Sequence, residues 1–140
     1  MKLLVIGDSC EDIFRYGDIA RIAPEAPVPV IVPEREESNP GMAGNVVANL
    51  KALGATVDLI TNKESIRKIR YVDVRYNQMV LRVDENDECG RIDMSNIDMS
   101  DYDAIIISDY CKGFLMEDDI SKIAKEAYIL RYEKRVRDVV

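Results

Sequence analysis

The sequence predicts an α/β fold with a central parallel sheet, flanking helices and a small β lid. Three short, mainly apolar runs, at 2–7, 56–60 and 104–108, are typical of buried strands. The second run follows a segment with helical spacing, which gives the strand, helix, strand order of a right-handed parallel unit. A proline-rich segment between the first strand and that helix predicts the lid.

The composition is that of one folded domain covering 1–140. Apolar residues make up 47% and charged residues 32% of the chain, which is typical of a globular domain. The formal charge of −7 disfavours nucleic acid and anionic membrane surfaces as partners, because both repel a negative protein. The first apolar run stops at Asp8, too short for a membrane span and without a signal-peptide cleavage pattern, so we expect a cytoplasmic protein.

Cysteine and histidine usage narrows the possible chemistry. Three widely separated cysteines and no histidine indicate reduced thiols, with neither a disulfide framework nor a zinc site. The lack of histidine also excludes Ser-His and Cys-His catalysis. The sequence therefore predicts no metal site, and it identifies no catalytic residue.

The lid is predicted from two separate segments. Residues 24–33 contain four prolines, which forbid a helix and restrict any strand to a sheet edge or a two-stranded flap. Residues 69–84 alternate loosely between apolar and polar types, which predicts one or two strands pairing with that flap. We expect 14–38 and 68–86 together to form the β lid.

The remaining elements follow the usual helix and loop signals. Helical spacing from 43 to 53, with Gly54 as a C-terminal stop, predicts the first helix. Residues 85–100 are acidic and turn-rich and predict a loop. A second helix is expected from Met116 and could continue towards Val140.

Two carboxylates, Asp8 and Asp12, follow the first strand. Open α/β sheets bind ligands at the carboxyl ends of their strands, so these side chains are candidates for holding sugar hydroxyls. Each hydrogen bond to a charged group contributes about 1.5–3 kcal/mol. The alternative is a turn in which Asp12 is a helix cap or a solvated charge.

Small residues and an amide side chain precede the first helix, in the run PGMAGN at 40–45. Gly41 and Gly44 let the backbone approach a ligand, and Asn45 offers both a donor and an acceptor to a hydroxyl. A helix N-terminus favours such polar groups. The alternative is a helix entry that binds no ligand.

A third motif, containing Asp109 and Lys112, follows the last apolar run. Lys112 could face a phosphate on the substrate, although a single lysine in a loop is usually just solvated. Together the three motifs support a ligand site better than any one of them alone, because the carboxyl ends of parallel strands lie at one edge of a sheet.

Four segments together resemble the ribokinase-like (PfkB) carbohydrate kinases, most closely the heptose-7-phosphate kinase branch. They are GDSCEDIFRYGDIARIAPEAPVPV, NPGMAGNVVANLKALGATVDLI, NQMVLRVDEND and IIISDYCKG. Within them, RIAPEAPVPV at 21–30 and SDYCKG at 108–113 are the most specific matches. The resemblance covers most of residues 1–125.

This resemblance implies transfer of a phosphoryl group to a hydroxyl of a sugar or sugar phosphate, with ATP and Mg²⁺ as cofactors. It implies that Asp8 and Asp12 hold sugar hydroxyls and that the residues from Gly41 to Asn45 line the sugar pocket. Arg82, with Asp84, is expected on the returning strand of the lid. The lid would close over the sugar and form a homodimer surface.

The sequence also departs from the family pattern in three places. Gly41-Met42 stands where the family has paired glycines, and 63–68 replaces a helix, a strand and a connector. The nucleotide half, with its Gly-Ala-Gly-Asp loop, has no counterpart, and no other phosphate-binding loop replaces it.

We therefore expect a truncated N-terminal half that is inactive alone and active only if a second polypeptide supplies the ATP half. The alternative is a non-catalytic sugar-binding or dimerisation module. A Rossmann-like dinucleotide binder is disfavoured, because no glycine-rich fingerprint follows the first strand.

Overall fold

The computed structural model describes residues 1–126 and 129–133, which form two four-stranded sheets and two helices. In chain order the elements are β1 (Lys2–Gly7), β2 (Ser9–Ile22), β3 (Pro29–Met42), α1 (Ala43–Ala52), β4 (Thr56–Ile60), β5 (Arg67–Asp73), β6 (Gln78–Glu85), β7 (Ala104–Asp109), α2 (Glu117–Glu126) and β8 (Ile129–Glu133). The predicted α/β class is confirmed.

The main sheet contains β4, β1, β7 and β8 in that spatial order, and every pair in it is parallel. Leu3 of β1 lies in register between Val57 of β4 and Ala104 of β7. The three strands predicted from apolar runs are confirmed as its first three members. All of their carboxyl ends therefore meet at one edge, as the sequence predicts.

Both faces of the main sheet are covered, which explains why its central strands β1 and β7 are mainly apolar and buried. On one face Leu3 and Val5 pack against Ala43 and Val47 of α1. The other face packs against the segment after β7 and against α2. Its central cluster contains Leu4, Ile6, Ile105, Ile107, Phe114, Leu115 and Ile123.

The second sheet contains β3, β2, β5 and β6 in that order. β2 pairs antiparallel with β3 and parallel with β5, and β5 pairs antiparallel with β6. The proline-rich strand β3 lies at the edge, as predicted, because proline has no N–H to donate to a further strand. The strands of this sheet span 9–42 and 67–85, whereas the sequence predicts the lid at 14–38 and 68–86, and the role of the sheet as a lid stays a prediction.

Two details of the predicted elements change. The segment 69–84 forms two strands, β5 and β6, but β5 pairs with β2 rather than with the proline-rich β3. The helix expected to continue towards Val140 is wrong over Ile129–Glu133, which forms β8 beside β7. An unpaired edge of β7 would leave N–H and C=O groups without partners, and β8 satisfies them. The rest of that prediction, 127–128 and 134–140, lies outside the described residues.

Close contact between β1 and β7 makes Gly7 a test of the main sheet. Gly7 is in register with Ser108, and a Cβ on Gly7 would overlap the Ser108 carbonyl oxygen. We predict that Gly7→Ala lowers the free energy of unfolding, measured by urea denaturation, by about 3 kcal/mol or more. Gly90→Ala is the matched control, because its Cβ would meet only the flexible end of Glu64, at 3.2 Å. Equal losses of stability in the two variants would contradict the close contact between Gly7 and the backbone of Ser108.

Candidate functional site

The candidate site lies at the carboxyl edge of the main sheet, where the second sheet begins. Asp8, directly after β1, is fully buried and accepts hydrogen bonds from the backbone N–H groups of Tyr110 and Lys112, both at 2.9 Å. Burial raises the pKa of Asp8, while these two hydrogen bonds act to lower it. Asp8 thus anchors the loop after β7. A contact between its carboxylate and a sugar stays a prediction.

Side chains that follow β4 also fix this edge. The Ser9 N–H donates to Asn62 Oδ1 at 2.7 Å, and the Thr61 hydroxyl donates to Ser9 Oγ at 2.7 Å. The ends of β4 and β1 are therefore tied together by polar side chains. The sequence motifs did not include Thr61 or Asn62. Their position directly after a buried strand was the signal that could have found them.

Asp12 and Gly41 come together across β2 and β3. Asp12 lies within β2, so the alternative of a turn or a helix cap is wrong. Arg70 of β5 donates to its Oδ1 at 2.5 Å. A Cβ on Gly41 would lie 2.5 Å from Cys10 Sγ and closer still to Asp12 Oδ2. The carboxylate therefore packs against bare backbone, which only glycine provides here.

The start of α1 lies beside this contact. The Ala43 N–H donates to the Asp8 carbonyl at 3.0 Å, so the helix begins next to the end of β1. Met42 precedes α1 with a φ of 54°, a conformation that favours glycine, and no side chain hydrogen-bonds to this helix end. Gly44 packs near Pro40, while Asn45 is exposed in the first turn. Asn45 is thus exposed to solvent, and its contact with a sugar hydroxyl stays a prediction.

Arg82 lies on the same face of the second sheet as Asp12. Arg70 is in register with Arg82 on β6, and partners in register share a face. Arg82 forms two hydrogen bonds of 2.6 Å to the carboxylate of Asp84. These bonds lower the pKa of Asp84 to about 2.

Two lysines complete the charged surface. Lys68 of β5 binds Asp84 at 3.3 Å and Asp87 at 3.1 Å, and Lys112 binds Asp87 at 2.6 Å. The sequence motifs included Lys112 but missed Lys68 and Arg70. Lys68 and Arg70 are two residues apart in one strand, so their side chains lie on the same face. Only the pairing of β5 with β2 determines that this is the face that contains Asp12.

Asp109 has a local role in the loop after β7. Its Oδ1 accepts a hydrogen bond of 2.9 Å from the backbone N–H of Cys111, which has a φ of 58°. The bond stabilises a turn conformation that most residues avoid. The structure brings Asp109 to the same edge as Asp8, and its contact with a substrate stays a prediction.

Acidic side chains are the usual protein ligands of Mg²⁺, the metal that the family resemblance implies. Within 1–126 and 129–133, no three acidic, cysteine or histidine side chains are grouped so that they could hold a metal ion. These residues therefore do not fit a protein-bound Mg²⁺. No helix of this part of the chain is both long and apolar enough to cross a membrane.

Cys10 should react slowly although it borders the site. Burial, followed by the nearby Asp12 charge, raises the pKa of the Cys10 thiol to about 11. Because the thiolate is the reactive form, we predict that iodoacetamide at pH 8 modifies the exposed Cys111 well before Cys10. Peptide mass spectrometry over time gives both rates, and Cys111→Ser isolates the slower one. Modification of Cys10 as fast as Cys111 would contradict the raised pKa of the Cys10 thiol.

The Asp84 ion pairs should stabilise the fold in a defined pH range. The pKa of Asp84 falls from an ordinary value of 3.8 to about 2 on folding, so its contribution is fully present above about pH 4. It is lost as the pH falls through about 2. We predict that the stability difference between the parent protein and Asp84→Asn, measured by urea unfolding, shrinks between pH 5 and pH 2. A difference that stays constant over this range would argue against the ion pairs.

Comparison with known proteins identifies relatives, although no protein-family model matches the chain. The bifunctional protein HldE of Campylobacter jejuni subsp. doylei is 35% identical over 156 residues, covering 92% of this chain and 34% of that protein. HldE of Nitrobacter winogradskyi is 33% identical over 150 residues, covering 81% and 31%. The chain therefore spans about a third of the length of these curated relatives.

The first alignment extends over 156 residues whereas the chain has 140, so the relative contains residues within the aligned stretch that this chain lacks. The shortened connection at 63–68 stays a prediction.

A solved structure supports the fold. A Staphylococcus aureus protein, provisionally described as a phosphofructokinase, superposes with a TM-score of 0.56 at 10% identity, covering 94% of this chain and 52% of that one. Identity this low supports the fold alone, and the ribokinase-like fold is confirmed. With the HldE relatives, it confirms the resemblance stated from the motifs. The chain is therefore similar over most of its length to the bifunctional HldE proteins and has the ribokinase-like fold.

Proposed function

We propose that this chain forms the acceptor side of a carbohydrate kinase and binds a sugar phosphate of the heptose 7-phosphate type. The observation that carries the proposal is the contact between the Asp12 carboxylate and the bare backbone of Gly41, at the edge where α1 begins. A carboxylate that is held beside glycine backbone and a helix start is suited to binding neighbouring hydroxyls.

The ion pair with Arg70 orients this carboxylate. Arg70 occupies Asp12 Oδ1, while Oδ2 lies against Gly41. Each oxygen has more than one acceptor position, so hydroxyls can still donate to the carboxylate. Asn45, exposed in the first turn of α1, would add a donor and an acceptor. Asp8 and Asp109 would support the site mainly through the loop that they hold.

The positive side chains favour a phosphorylated sugar over a neutral one. Lys68, Arg70, Arg82 and Lys112 come from the second sheet and from the loop after β7, and all four are paired with carboxylates. Such cations bind phosphate strongly, since charge-assisted hydrogen bonds are about twice as strong as neutral ones. The ligand is therefore expected to bring its phosphate to this face.

The proposed function also involves protein partners. The described residues contain no cluster of side chains that would hold Mg²⁺, so turnover would use a nucleotide half from outside them, and we propose a second polypeptide as its source. Val32 of the edge strand β3 and Val28, just before this strand, are both exposed. They support a homodimer formed through the second sheet, since an apolar edge strand tends to pair with another strand. We place this assembly in the cytoplasm.

Calorimetric titration with heptose 7-phosphate tests the proposed site. We predict that Asp12→Asn weakens binding about tenfold or more, because a charged acceptor for hydroxyl groups is lost. Asp18→Asn is the matched control, since Asp18 lies on the same strand and is paired with Arg75 at 2.7 Å, away from Gly41. Unchanged affinity in Asp12→Asn, with the fold intact by circular dichroism, would reject the site.

A second measurement separates catalysis from binding. Addition of ATP and Mg²⁺ to the complex, with and without the candidate second polypeptide, is followed by ADP release. Sugar-dependent ADP release supports the kinase function. Sugar binding without ADP release in both mixtures supports the alternative, a non-catalytic sugar-binding or dimerisation module.

A further inference from the structure

One carboxylate, that of Asp87, joins the two sheets through two lysines. Its Oδ1 accepts from Lys68 of β5 at 3.1 Å, and its Oδ2 accepts from Lys112 of the loop after β7 at 2.6 Å. One ammonium group comes from the second sheet and the other from the loop after β7, yet they converge on the two oxygens of a single anion. They form a geometry that recognises a group with at least two adjacent negative oxygens.

Each lysine has a backbone position that does not depend on Asp87. Lys68 lies within β5, in register with Asp12 and with Asp84, and its side chain is only 9% exposed. The Lys112 N–H donates to Asp8, and the Lys112 carbonyl accepts from Cys89 at 2.8 Å. Lys68 keeps Asp84 as a counter-ion at 3.3 Å without Asp87, whereas the ammonium of Lys112, 19% exposed, is paired with Asp87 at 2.6 Å. A second anion between the two lysines therefore stabilises mainly Lys112, whether Asp87 or a ligand supplies it.

Asp87 is the more exposed partner and has space beside it. Its side chain is 41% exposed, and it follows Asn86, which has a φ of 53°. An open cavity of about 670 Å³ lies next to it, lined also by Glu64, Ser65, Asn86 and Glu88. Because two of those residues are acidic, the cavity itself is unsuited to phosphate, but it gives the Asp87 side chain room to move.

We propose that Lys68 and Lys112 form a subsite for a phosphate monoester and that Asp87 occupies this subsite as an internal anion when no ligand is bound. The inference rests on the proposed function and deepens it by naming where the phosphate of the sugar binds. A phosphate monoester carries more negative charge than a carboxylate and has three acceptor oxygens, so it can displace Asp87 and bind both lysines.

Displacement preserves the link between the sheets. In the ligand-free chain Asp87 connects β5 to the loop after β7, and a bound phosphate would make the same connection through its own oxygens. Asp84 stays with Lys68 and Arg82 in both states. Binding therefore exchanges one anion for a stronger one without separating the two lysines.

Titration of the full chain with inorganic phosphate tests this inference without any sugar. We predict that Asp87→Asn binds phosphate about tenfold more tightly than the parent protein, because the internal competitor has lost its charge. Lys112→Gln added to Asp87→Asn should abolish this gain. Asp98→Asn is the control, since it removes the same charge from the same acidic loop and its carboxylate instead accepts from Ser100 at 2.9 Å and 2.7 Å.

The outcomes are separable. Phosphate affinity in Asp87→Asn equal to that in Asp98→Asn would overturn the inference and make Asp87 a permanent structural link. If Asp87→Asn does not fold, Lys112→Gln alone decides the matter. In that variant heptose 7-phosphate should lose affinity while the unphosphorylated heptose keeps it, and equal losses for both sugars would overturn the inference.

The inference and the proposed function can fail separately. Loss of sugar binding in Asp12→Asn without any phosphate effect in Asp87→Asn would support the function and reject the subsite. A gain in phosphate affinity in Asp87→Asn, with no binding of either sugar, would support the subsite and reject the function.

Discussion

The burial of the Asp8 carboxylate constrains everything around the candidate site, because a buried carboxylate must be satisfied by hydrogen bonds where it lies. Its oxygens accept from the backbone of Tyr110 and Lys112, and its own carbonyl accepts from Ala43. One residue therefore connects the end of β1 to the loop after β7 and to the first turn of α1. The elements that border the site owe their relative positions to these three bonds.

The second sheet depends on this arrangement and adds the polar face that a ligand would meet. Asp12 is fixed between Arg70 and the backbone of Gly41, which requires a glycine at that position. The adjoining Met42 adopts a backbone conformation that costs about 1–3 kcal/mol for a residue with a side chain. Strain at the junction between β3 and α1 is compensated by the burial of Met42 and by the packing of α1 on the main sheet.

Charge on this face is balanced rather than uniformly positive. Lys68, Arg82 and Lys112 each have a carboxylate partner, so the face is stable without a ligand although it contains several cations. Partial burial works to raise the pKa of Asp87, but the hydrogen bonds from Lys112 and Lys68 hold it below its ordinary value. The affinity for an external anion therefore depends on how much more strongly the lysines pair with that anion than with Asp87. Ligands with a higher charge than a carboxylate are favoured.

The sequence by itself determined the elements whose signals are local. Mainly apolar runs defined three of the parallel strands, the prolines placed β3 at an edge, and Gly41 indicated a close approach of the backbone. The family resemblance rested on short motifs of this kind. These features could be predicted because each depends on residues close together in the chain.

Only the tertiary structure decided which charged groups meet. Arg70 reaches Asp12 across 58 positions, and Lys112 reaches Asp87 across 25. The pairing of β5 with β2 sets which side of the second sheet Lys68 and Arg70 occupy, and a shift of one residue in that register would reverse it. The strand β8 is likewise explained by the need of β7 for a partner, which no local pattern in 129–133 expresses. Long-range pairing and ion-pair choice depend on the whole fold, so they were outside what the sequence could specify.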